Sequence, residues 1–126
     1  MNEKKIANNF KKIDERTFDF ALLIIDAYKF LRRNNEYIFS NQILKSGTSI
    51  GANVHEAQTA QSKKDFVSKM AVASQEARET EYWLRLLDKS GYLSTFNQKE
   101  TVFSEALSLR KILTKIVRTS RESISH

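Results

Sequence analysis

The chain has 126 residues with no cysteine, no proline and three glycines, a length that holds one domain with a core of its own. Disulfides and thiolate metal sites are thereby excluded, and the scarcity of turn formers excludes a fold of many short strands. A net charge of +6 and a pI ≈ 9.6 permit a polyanionic partner without demanding one.

The opening MNEKKIANNF lacks the apolar core of a signal peptide. The longest apolar run, Ala21 to Ile25, is too short to span a bilayer. A cytoplasmic chain with no membrane partner is therefore expected. Charge is uneven along it: residues 1–16 carry five basic and three acidic side chains and residues 97–126 six against three, while the middle is nearly balanced. Basic character thus sits at both ends of the sequence.

Residues 1–13 place Ile6, Phe10 and Ile13 at helical spacing among Lys4, Lys5, Lys11 and Lys12. This basic extension is either a short helix lying on the rest or a frayed terminus. The first long helix is expected from Asp14 or Thr17, either able to cap it, to Arg33. Eleven of the fifteen residues from Thr17 to Leu31 are apolar and fall into two stripes. Phe18, Leu22, Ile25 and Tyr28 form one; Phe20, Leu23, Ile24, Ala27, Phe30 and Leu31 form the other. A bundle buries one stripe per helix. The second stripe is therefore assigned to another subunit, with cover from residues 1–13 as the alternative.

A second helix is expected from Glu36 to Ala60, with Ile43, Gly47, Ile50, Val54, Ala57 and Gln61 stepping by four and three. Its centre is small: Ser46, Gly47, Thr48, Ser49, Gly51 and Ala52. Each glycine costs about 1 kcal/mol against alanine inside a helix, and close approach of a neighbouring helix is the expected offset. The Gly-x-x-x-Gly spacing lacks the lysine and remaining pattern of a phosphate loop. Ser62 and Asp65 resemble a capping box, starting a third helix near Lys63. Phe66, Met70, Ala73, Ala77, Thr80, Leu84 and Leu87 form its stripe, Glu81 and Arg85 an i,i+4 pair, and Gly91 its left-handed stop. A fourth helix follows Asn97 and Glu100, with Val102, Ala106, Leu109, Leu113 and Ile116 inward. Residues 122–126 are expected to be a disordered tail. The predicted fold is all-α, an up-down-up-down four-helix bundle over residues 14–121.

No catalytic constellation emerges. His55-Glu56 begins like a zincin motif without the second histidine, and the serines lack histidine and carboxylate partners. Glu76 and Glu79 lie three apart, but no Glu-x-x-His occurs. Neither metal nor cofactor is expected, nor a small-molecule substrate. Asn53, Glu56 and Glu79 could be buried polar groups that fix helix register. The fourth helix is more informative: between Glu105 and Glu122 it carries Arg110, Lys111, Lys115, Arg118 and Arg121 with no acid. Lys111, Lys115 and Arg118 recur at i, i+4 and i+7, a stripe able to neutralise phosphates with little sequence preference. An ordinary solvated face is the plain alternative. Without aromatic interleaving, any contact would be to backbone and shape.

The run Lys45-Ser46-Gly47-Thr48-Ser49-Ile50-Gly51-Ala52-Asn53-Val54, continued by Glu56-Ala57, resembles the signature of the four-helix-bundle family encoded in intervening sequences of 23S ribosomal RNA genes. Asp65-Phe66, Lys69-Met70, Glu76-Ala77, Glu79, Tyr82-Trp83-Leu84 and Leu86-Leu87 match the same family, and the likeness spans about residues 17–118. The basic N-terminal extension lies outside the pattern, and His55 stands where the family varies. The resemblance implies a bundle that assembles into a closed ring, a pentamer. A relative, the accessory variability determinant of diversity-generating retroelements, is a basic barrel that binds nucleic acid and a reverse transcriptase. The functional expectation is a non-enzymatic homo-oligomer associating with RNA or a reverse transcriptase-type ribonucleoprotein; the alternative is a protein–protein scaffold with no nucleic-acid role.

Overall fold

The computed structural model describes the backbone of residues 3–125 and the side chains of residues 12–124. It consists of α1 (Glu3–Arg33), α2 (Phe39–Ala57), α3 (Lys63–Lys89) and α4 (Lys99–Ser125), with no strand among the described residues. Short connections make successive helices antiparallel neighbours, and of the four neighbouring pairs α1 and α4 touch least. None of the described helices is long and apolar enough to cross a membrane.

α1 starts at Glu3 and passes residue 13 without a break, and Ile13 is buried. The expected packing of Ile6 and Phe10 lies outside the described side chains. α4 runs on to Ser125, so residues 122–125 are helical where a disordered tail was expected. α2 is shorter than its apolar spacing predicts, because Glu36 stays outside it as a cap. The buried Glu36 carboxylate accepts from the backbone N–H groups of Ile38 (3.2 Å), Phe39 (3.0 Å) and Ser40 (2.6 Å), three donors that helix geometry leaves without partners. At the other end α2 stops at Ala57, and Gln61 lies in the turn.

Two helices end in the same way. Asn35 (φ 65°) and Gly91 (φ 88°) adopt the left-handed conformation, so that Glu36 N–H reaches the carbonyl of Leu31 at 2.9 Å and Tyr92 N–H that of Leu87 at 3.0 Å. α3 begins as its capping box predicts, with Ser62 Oγ accepting from Asp65 N–H at 3.0 Å. Glu81, however, pairs with Arg110 on α4 instead of Arg85 on its own helix. Between α2 and α3 the buried hydroxyls of Thr80 and Ser46 share a hydrogen bond at 2.9 Å, while Thr80 Oγ1 donates to the Glu76 carbonyl at 2.8 Å, which satisfies hydroxyls that burial would otherwise penalise.

The largest difference from the sequence expectation concerns α1. Phe20, Ile24, Ala27, Phe30 and Leu31, assigned to another subunit, are 0–9% exposed in the bundle's own core, and Leu23 packs partly buried against it. The stripe expected inside is the outer one: Phe18 is 65% and Leu22 50% exposed, with Ile25 and Tyr28 intermediate. Continuity explains the choice. Ile13, Thr17, Phe20, Ile24, Ala27 and Leu31 step by four and three along α1 with no charge among them, whereas Glu15 and Lys29 bracket Phe18, Leu22 and Ile25 on the other face.

The glycines of α2 fix that orientation. A Cβ on Gly47 would lie 2.7 Å from Ile24 Cγ1 and 2.8 Å from Cγ2, and one on Gly51 3.1 Å from the carbonyl oxygen of Thr17. α1 therefore lies against α2 closely enough that its side chain and backbone occupy the space that alanine would need. Overpacking costs about 1–3 kcal/mol, against about 1 kcal/mol gained by alanine in a helix. Gly47→Ala should therefore lower stability by about 1 kcal/mol in urea denaturation at fixed chain concentration. Gly47→Ala combined with Ile24→Ala should lose less than the two single losses added together. A Gly47→Ala chain more stable than wild type would show that this contact is not tight.

Candidate nucleic-acid interface

α4 turns Val102, Ala106, Leu109, Leu113 and Val117 into the core, and the expected Ile116 packs partly buried against it. The cations on the rest of the helix are sorted by what they meet. Lys111, Lys115 and Arg118 are exposed, and among the described residues no carboxylate lies within 4 Å of any of them. Arg110 is half-buried with its Nε donating to the Glu81 carboxylate, so its charge is matched across the α3–α4 seam. Arg121 is exposed on the same flank as Arg118, and both line a groove between the helices.

That groove, about 450 Å³, is walled by Ala71, Ser74 and Arg78 of α3 and by Thr114, Val117, Arg118, Arg121 and Glu122 of α4. Arg78 donates to the buried Ser74 Oγ at 3.3 Å, and Thr114 Oγ1 donates to the carbonyl of Arg110 at 2.8 Å. Arg78 is the residue that a search along α4 alone misses. Its signal was present in α3, as a cation one position after the core residue Ala77 and i+4 from Ser74.

Topology also joins what the sequence keeps apart. The start of α3 meets the end of α4, where Lys63 Nζ contacts Ser123 Oγ, and the start of α1 lies at this same end of an antiparallel bundle. Lys12, the Lys63-Lys64 pair and Arg121 therefore share one end of the molecule with Asp14, Glu15 and Asp65. A second groove, between α1 and α2, has the opposite sign: Asp14, Glu15 and Asp19 line about 630 Å³ with Phe18, Ala52 and His55.

The remaining polar candidates are distributed rather than assembled. His55 is exposed, its Nδ1 3.4 Å from Asp14 Oδ1. Glu56 and Glu79, considered as buried register groups, are exposed: Glu56 pairs with Lys69 at 3.3 Å, and Glu79 accepts from Trp83 Nε1 at 3.2 Å. Asn53 is half-buried and donates to the Ser49 carbonyl on its own helix. No three His, Cys, Asp or Glu side chains among the described residues converge as a metal site would require.

Compared with known proteins, the chain matches the family model described as 23S rRNA-intervening sequence protein over residues 11–115. It is also similar to a solved structure from Bacteroides thetaiotaomicron VPI-5482, a protein with unknown function from the S23 ribosomal protein family. The two are 42% identical, the match covers 86% of this chain and 97% of that one, and the TM-score is 0.80. No curated protein matches.

Among the described residues Glu76 carries the one carboxylate displaced from its usual range, pushed up by burial and then by Glu79, against an opposing pull from Lys45. A folded-state value above the unfolded one means that ionisation is disfavoured in the fold. The penalty is absent when both states are protonated and is complete above the folded-state value. Glu76→Gln should therefore melt higher than wild type at neutral pH, with the gap closing as pH falls through the carboxylate range. An equal gap at both ends of that range would assign the effect to packing instead.

Proposed function

The chain belongs to the 23S rRNA-intervening sequence protein family, and from that premise we propose that it is a non-enzymatic homo-oligomer associating with RNA or a ribonucleoprotein through the basic face of α4. The observation that carries this is the alignment of Lys111, Lys115 and Arg118 along one helix, exposed and with no carboxylate partner among the described residues. Cations so arranged release counterions when they meet phosphates, which favours binding without base readout.

Self-association rests on a different face from the one that the sequence indicated. Phe18 and Leu22 stand in solvent on α1, next to the acidic groove, and large apolar side chains grouped on a surface mark contact sites. The same patch supports the second reading, a scaffold that presents this face to a protein partner while its charge serves solubility.

Structured RNA should bind at low salt and release as salt rises, as measured by filter binding at two salt concentrations. Changing Lys111, Lys115 and Arg118 together to glutamate should weaken binding and flatten the salt dependence, with the particle mass unchanged. No binding at low salt would remove the RNA association. In light scattering the wild type should weigh several chains and Phe18→Glu/Leu22→Glu one chain; a monomeric wild type would remove the assembly.

A further inference from the structure

We propose that the connection between α1 and α2 holds one unpaired nucleotide of an RNA strand, its base stacked on the Tyr37 ring and its phosphate on Arg32 and Arg33. This rests on the RNA association proposed above and names the class of RNA. It is a strand with a loop, a bulge or a free end, because a base inside a duplex has no open face to offer.

The end of α1 carries positive charge that nothing around it matches. Lys29, Arg32 and Arg33 are exposed, and among the described residues none of them has a carboxylate within 4 Å. Both carboxylates of residues 26–38 are engaged elsewhere. Glu36 is buried at the start of α2, where it caps three N–H groups, and Asp26 accepts from Gln98 of α4 at 3.3 Å. A helix dipole favours cations at this end, which accounts for their sign but not for the two tyrosine rings gathered at one of them.

Arg32 lies over both rings, its Cζ 4.8 Å from the centroid of Tyr37 and 5.6 Å from that of Tyr28. Contact through the face of the guanidinium orients the group and leaves its N–H edge unspent. The Arg32 side chain donates no hydrogen bond to any described residue, so its fork is ready to take phosphate oxygens two at a time. Tyr37 is held as well. Its hydroxyl donates to Asn35 Oδ1 at 2.8 Å, Asn35 itself is in the left-handed conformation (φ 65°), and the Glu36 cap ties the residues that follow to α2. Yet the ring stays 48% exposed. An ordered, half-open aromatic ring with an unspent guanidinium against it offers stacking and phosphate contact together, the combination that grips single strands. The stripe on α4 supplies charge without a ring; this connection supplies both.

The test is fluorescence anisotropy on the full chain with two labelled RNAs of equal length, a hairpin with an open loop and a fully paired duplex, alongside melting temperature and particle mass. Wild type should bind the hairpin more tightly than the duplex. Tyr37→Ala should lose about tenfold on the hairpin and little on the duplex, with particle mass unchanged, whereas Tyr37→Phe should bind as wild type does. Arg32→Gln leaves every ring in place and should weaken hairpin binding and lower its salt slope by about 0.7; it tests the site independently should Tyr37→Ala melt lower. Wild-type hairpin affinity in both Tyr37→Ala and Arg32→Gln, with loss in Lys111→Glu/Lys115→Glu, would overturn this site and leave the α4 face as the whole RNA contact. Equal losses on hairpin and duplex would overturn the stacked base. No RNA binding by wild type at low salt would overturn the preceding proposal and this one with it. Competition by adenosine monophosphate as strong as by the hairpin would make this a small-ligand site and overturn the strand. A changed particle mass in Tyr37→Ala at unchanged RNA affinity would assign the ring to a contact between copies instead.

Discussion

The close approach of α1 to α2 decides the rest of the molecule. Gly47 and Gly51 stand four apart on one face of α2, where Ile24 and the backbone of Thr17 fill the space that a methyl group would occupy. Two glycines in a helix interior cost about 2 kcal/mol together, so the helix needs a tight partner to justify them. Only the face of α1 running from Ile13 through Thr17, Phe20 and Ile24 can supply one. Once that face turns inward, Phe18 and Leu22 must turn outward, and the helix has no freedom to bury both.

This rotation also sets the charge pattern of the surface. Glu15 and Asp19 travel outward with Phe18 and, with Asp14, make the α1–α2 groove acidic. The α3–α4 groove is walled by three arginines. The first and last pairs of helices thus present faces of opposite sign, a distribution that a net charge of +6 does not reveal. Antiparallel packing returns the start of α1 and the end of α4 to one end, so carboxylates and guanidinium groups are both present there.

Periodicity made the bundle, the number of helices and most of the core legible. Ile43, Ile50, Val54, Met70, Ala77, Leu84, Leu109 and Leu113 are all buried as their spacing requires, and Ser62 and Gly91 mark helix ends as their chemistry requires. The orientation of α1 was harder because both stripes are apolar in the window from Thr17 to Leu31. Extending the window back to Ile13 on one stripe and to Glu15 on the other separates them, since Glu15, with Lys29 at the far end, closes off one stripe and no charge interrupts the other. Glu36 was obscured differently: a glutamate four residues before Ser40 looks like helix interior unless its carboxylate bends back to the N–H groups. Arg78 lines a groove made by two helices, and its spacing from Ser74 within α3 does not tell which residues of α4 stand opposite.

Six cations on α4 look equivalent in sequence, yet the fold sorts them by what α3 places opposite. Where α3 presents Glu81 and Asp88, the facing Arg110 and Lys99 become cross-links between helices. Such half-exposed pairs add little stability individually, but they fix which face of α4 meets α3. With that register set, Lys111, Lys115 and Arg118 must face away from the core, and Arg118 and Arg121 must flank the stretch of α3 that carries Ser74 and Arg78 instead of an acid. Two carboxylates at one end of the seam therefore set how the whole of α4 is turned, including the part that carries no such cross-link.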